Sequence, residues 1–146
     1  MKKQLVFLLF LSIVLVTACN NSEELSGQTF NVAYSPVMQE DVNSPNKHYS
    51  IMTLEFLEGN KVITNAIHDG EGAYELNDDE LVLRFENDYE FLEITFVVTE
   101  SDKDFSKYSA VISGVDYTIT DTDIIRHLQN LALKLFIDMP VEFIKK

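Results

Sequence analysis

A chain of 146 residues with 24 acidic and 11 basic side chains carries a formal charge of −13. That balance excludes nucleic-acid binding as an expected role, since a phosphate backbone is gripped by clustered Lys and Arg, and it suits a mutually repelling, monomeric exterior or a basic partner. The one cysteine, Cys19, excludes an intramolecular disulfide, so the folded part must be held by packing alone.

Lys2 and Lys3 precede a run from Leu5 to Val16 that is nearly all Leu, Val, Ile and Phe. The run is shorter than the roughly 20 residues that span a bilayer, and it has the size of a secretory signal's apolar core. Val16-Thr17-Ala18-Cys19 resembles the lipobox of bacterial lipoproteins: an aliphatic residue, two small ones, then cysteine. The resemblance implies diacylglyceryl transfer to the Cys19 sulfur and cleavage between Ala18 and Cys19. The mature chain is then expected on the extracytoplasmic face of the cell membrane, held by palmitate-type acyl chains. The alternative is a buried N-terminal helix with an incidental cysteine.

The expected organisation is a cleaved signal over residues 1–18, a lipidated tether over 19–26 and one folded domain over 27–146. Without the signal about 128 residues remain, enough for a domain that buries well over half of its unfolded surface. The tether reaches at most about 28 Å, which keeps the domain near the membrane, and two acyl chains suffice for stable anchoring.

From Gly27 the pattern becomes period-two alternation. Phe30, Val32 and Tyr34 share one side of a first strand. A loop rich in Pro, Asp, Asn and Ser follows, and its stretch Pro36 to Lys47 is the candidate lid. Tyr49–Leu57 and Lys61–Ile67 form a hairpin about Glu58-Gly59-Asn60. A short strand runs through Tyr74 and Leu76, another through Leu81, Leu83 and Phe85, and a third through Leu92, Ile94, Phe96 and Val98. Tyr108 to Ser113 is the seventh candidate, and Tyr117 to Thr120, after Gly114-Val115-Asp116, is the eighth. Repeated alternation between tight turns predicts an antiparallel sandwich or barrel and no parallel α/β sheet.

Near Thr120 the period changes. Ile124, Leu128, Leu131 and Leu135 lie on one helical stripe, widened by Ile125, Ala132 and Phe136, which predicts an amphipathic helix over 121–137. Thr120, Asp121 or Thr122 is the expected cap, and Met139-Pro140 the expected stop. Val141 and Phe143 fit one further edge strand.

Eight antiparallel strands followed by one amphipathic helix is the element order of the calycins, and the chain from Leu25 to Ile144 resembles a small lipocalin-like lipoprotein. Of that family's first-strand Gly-x-Trp motif only Gly27 is present. Thr29 holds the tryptophan position, and the chain contains no Trp. The resemblance implies an all-β, eight-stranded antiparallel barrel with a C-terminal amphipathic α-helix packed on it. It also implies an interior that is filled with side chains or holds one small apolar ligand. Tyr34, Met52, Leu54, Phe56, Tyr74, Phe85, Phe96 and Tyr108 are the candidate ligand-binding residues; Phe30, Leu83 and Tyr117 are further interior candidates.

Catalysis is not expected. An acylated Cys19 is not a nucleophile, and His48, His68 and His127 sit in no nucleophile or metal motif. His68-Asp69 fits a polar turn. The acidic turns Asp69-Glu71 and Asp78-Asp79-Glu80 lack the ligand spacing of a calcium loop, so no metal or other cofactor is expected. Three classes of function remain: a membrane-tethered binder of a small apolar ligand, an acidic inhibitor-like or immunity-like protein for a basic protein or peptide, and a hydrolase with an unseen site. A cavity of at least about 300 Å³ favours the first. A filled barrel with one concentrated negative face, or an exposed apolar patch inside an acidic rim, favours the second. The first is the reading taken.

Overall fold

The computed structural model describes residues 24–35, 47–123 and 125–146. The expected signal, Ala18, Cys19, most of the tether, loop residues 36–46 and Ile124 lie outside the described residues. Eight antiparallel strands close into a barrel in sequence order. They are β1 (Thr29–Tyr34), β2 (Tyr49–Leu57), β3 (Lys61–Thr64) and β4 (Glu71–Asn77). After them come β5 (Glu80–Glu86), β6 (Glu90–Glu100), β7 (Tyr108–Ile119) and β8 (Pro140–Lys145). Among the described residues one α-helix, α1 (Leu128–Ala132), lies between β7 and β8.

The expected all-β, eight-stranded barrel is therefore the fold, but the eighth strand is not the one read from the alternation. Tyr117 to Thr120 does not begin a new strand. Gly114 pairs with Thr95 and Ile112 with Phe96, so Ser113 is an extra residue in one continuous β7. A bulge of this kind moves the inward face from even to odd positions. Tyr108, Ala110 and Ile112 face the core before it, and Val115 and Tyr117 pack on the core after it. The phase change reads in the sequence as a turn. Val141 and Phe143, expected at an edge, instead belong to the strand that pairs with β7 and β1 and closes the ring.

The helix is also shorter than 121–137. Leu128, Leu131 and Leu135 are buried as the stripe predicts, but Ile125 and Phe136 are 79% and 64% exposed. Past Ala132 the chain tightens into three-residue bonds, Lys134 N–H to Leu131 O and Leu135 N–H to Ala132 O, and it leaves through Asp138 at φ 65°. Thr120, Asp121 and Thr122 do not cap it. Asp121 Oδ1 accepts the N–H of Asp123 instead, and the cap comes from β6.

Inside the barrel the aromatic residues interlock. Phe30 meets Phe56, Tyr108 and Phe143 edge to face, at 6.0, 5.8 and 5.9 Å between ring centres. Phe56 meets Tyr74 at 4.8 Å, and Phe143 meets Phe96 at 5.6 Å. These offset geometries are the favourable ones for rings, and each adds about 0.5–1.5 kcal/mol beyond the area buried. Gly72 makes room for the packing: a β-carbon there would sit 2.6 Å from the Phe85 ring. One end of the barrel carries the turn at Gly59-Asn60, the Ser101–Lys107 loop and the incoming residues 24–28, with Leu25 buried against the core. The other end carries the end of β1 and the start of β2, the β3–β4 and β5–β6 connections and α1.

Candidate functional site

At the α1 end, β1 and β2 run past the core and present two tyrosines. Val32 pairs with Met52 and Ala33 with Ser50, which leaves Ile51 as the extra residue of a bulge. Beyond it Tyr34 and Tyr49 are paired, their rings stacked at 5.8 Å and 29°. Facing them are Phe136 and Met139 from the chain that links α1 to β8, and Pro140 at the start of β8. Together these groups line an apolar groove of about 600 Å³, into whose rim Ser35, Ser50 and Lys134 bring polar groups. Tyr49 is 59% exposed there. A concavity of this size and lining is of the kind that takes small apolar molecules.

A second pocket, of about 300 Å³, lies beside the N-terminus of α1. Its floor includes Ile67, Phe85 and Leu128, and Asp69, Glu71, Glu86 and Asp88 stand around it. His68 Nδ1 lies 2.9 Å from Asp69 Oδ2, and the His68 and His127 rings are 6.3 Å apart. Among the described residues no group of three or more His, Cys, Asp or Glu side chains is placed to hold a metal ion. At the opposite end a pocket of about 290 Å³ is lined by Leu25, Leu76, Leu81, Val98 and Tyr108 among others. Tyr108 donates its hydroxyl to Glu24 Oε1 at 3.1 Å, and burial together with that carboxylate pushes the phenol up to about 12.

Two buried carboxylates organise the surroundings. Burial alone would raise Glu90. The hydrogen bonds it accepts from Asn87 Nδ2, the His127 N–H, the Tyr117 hydroxyl and the Leu128 N–H outweigh burial and bring it down to about 2. The carboxylate thus closes the N-terminus of α1, whose first amides would otherwise lack acceptors. Burial likewise acts to raise Glu142, but the hydrogen bonds from Lys103 and Ser109 hold it below the usual carboxylate range. Ser109 Oγ lies 2.9 Å from Glu142 Oε2, and Lys103 pairs with the other oxygen. Ser106 Oγ donates to the carbonyl oxygens of Tyr108 and Phe143. These hydroxyls bind the Ser101–Lys107 loop to β7 and β8, and the His48 ring lies against Phe105 of that loop, 4.8 Å between centres and tilted by 51°.

Of the eight ligand-binding candidates, Met52, Leu54, Phe56, Tyr74 and Phe96 are buried in the core, where they touch other side chains of the barrel. Phe85 forms part of the floor of the pocket beside α1, Tyr108 borders the pocket at the opposite end, and Tyr34 lines the apolar groove. Tyr49, Phe136 and Met139 were not among the candidates. Tyr49 is the first residue of a strand, Met139 lies in a linker, where periodicity carries no signal, and Phe136 reads in the sequence as part of the helical stripe. Glu90 was equally missed, although a visible mark existed: it falls on the even, inward-facing phase of Leu92 and Ile94.

Among the described residues no helix is long and apolar enough to cross a membrane. No family model matches the chain, and no curated protein and no solved structure matches it.

Proposed function

We propose that this chain is a membrane-anchored lipoprotein whose barrel holds out a binding site for a small apolar ligand, located in the groove at the α1 end. The observation that carries this reading is the contrast between a core of interlocked aromatics and an open groove of about 600 Å³ faced by Tyr34, Tyr49 and Phe136. The ligand therefore belongs at the mouth and not among the buried rings. Cys19 supplies the anchor. It precedes Glu24 by five residues, about 18 Å of chain at full reach, and Glu24 sits at the barrel end opposite the groove. The groove then faces away from the bilayer.

The test is the emission of an environment-sensitive apolar dye mixed with the full chain and with its Phe136→Asp variant. Enhanced emission that the variant loses supports the groove. Equal emission from both, or none from either, refutes it.

A second reading, an acidic interaction protein for a basic peptide, is favoured by one feature. Four carboxylates ring the pocket beside exposed Ile125. Under it, Glu86→Gln with Asp88→Asn weakens binding of a lysine-rich amphipathic peptide and leaves the dye response unchanged.

A further inference from the structure

The groove bears a cation in an otherwise acidic molecule. Lys134 is the one charged side chain among the described residues that line it. The described ion pairs engage Lys61, His68, Arg84 and Lys103, and none of them engages Lys134. At the N-terminus of α1 another pocket is ringed by Asp69, Glu71, Glu86 and Asp88. Formal charge is −13 over the chain, so a lone ammonium beside stacked tyrosines and Phe136 is a local reversal of sign.

We infer that the groove takes an amphiphile with a single alkyl chain and one anionic head, the chain lying on Tyr34, Tyr49 and Phe136 and the head meeting Lys134. This rests on the groove being the ligand site and adds the class of ligand. The flexible stem of a lysine can follow apolar surface while its ammonium stays in water, which is the arrangement such a head group requires. The occupant is a free amphiphile and not a bilayer lipid, because the groove lies at the end remote from Glu24, which is five positions along the sequence from the proposed anchor Cys19. An exposed pair of this kind is worth at most about fivefold in affinity, and salt weakens it.

The chain has no tryptophan, so Phe136→Trp places a single reporter in the groove. The full chain carrying it, in nanodiscs of neutral lipid, is titrated with dodecanoate below its micelle-forming concentration and with dodecanol, the uncharged chain of equal length. Dodecanoate is expected to bind about fivefold more tightly, with the advantage erased by Lys134→Met, kept by Lys134→Arg and reduced in about 0.5 M salt. Equal binding of the two probes overturns the anionic ligand and leaves the apolar groove standing. A preference for dodecanoate that survives Lys134→Met also overturns it. No response to either probe, confirmed with Tyr49→Trp as a second reporter and by calorimetry on the unsubstituted chain, overturns both readings.

Discussion

The carboxylate of Glu90 receives the backbone N–H of Leu128 on both of its oxygens, at 3.2 and 3.3 Å, across 38 positions of sequence. The N–H groups of His127 and Gln129 reach the same side chain at 2.9 and 3.3 Å. A helix of five residues is too short to persist on its own. What fixes it in place is this carboxylate from β6, together with the burial of Leu128 and Leu131.

Glu90→Gln is expected to destabilise the domain by about 2–3 kcal/mol near neutral pH, because an amide presents one acceptor where the carboxylate presents two. The effect depends on pH in a definite direction. Glu90 titrates at about 2 in the folded chain, below its ordinary 4.5. Its stabilisation is therefore complete above the unfolded value and declines as pH falls from there towards 2. Thermal melts from pH 7 down to 2 should show the parent approaching the variant. A gap that stays constant over that range would show that the charge on Glu90 does not hold α1.

Phe30 touches three rings, and its removal leaves a hole that edge-to-face neighbours cannot close by small shifts. Phe30→Ala should cost about 3–5 kcal/mol in urea unfolding. A loss below about 1 kcal/mol would mean that the cluster collapses around the gap.

Gly72→Ala forces a methyl group to within 2.4 Å of the Arg84 carbonyl oxygen and 2.6 Å of the Phe85 ring. The β4–β5 pair must separate or Phe85 must leave its rotamer, at about 1–3 kcal/mol. The amide exchange of β5 should accelerate more than that of β8, which lies elsewhere on the ring.

Cys19→Ala is expected to abolish incorporation of labelled palmitate and to leave the signal uncleaved. Fractionation after labelling reads both outcomes. Label retained by the variant would remove the basis for an anchor at that position.

The barrel was legible because alternation survives in most strands: Met52, Leu54 and Phe56, or Leu81, Leu83 and Phe85, mark an inner face without help from the rest of the chain. It was misread where a bulge shifts the phase. Ser113 splits one strand into two apparent ones, and counting them hid the part played by Val141 and Phe143 in closing the ring. The helix was overextended because Ile125 and Phe136 continue its stripe on paper. Where it begins, however, is set by Glu90, a long-range partner that no local pattern announces. The groove was legible only through Tyr34. Its other walls come from a bulge, a strand start and a linker, and these are joined by tertiary structure alone.

Because β1 is bonded on one flank to β2 and on the other to β8, the ring is closed and the described sheet has no terminal strand along which a foreign segment can zip from end to end. A closed ring of this kind disfavours whole-strand augmentation and edge-to-edge stacking between copies. Fibre growth finds no terminal strand to copy, and contacts made on the outside of the fully paired strands fall to side chains.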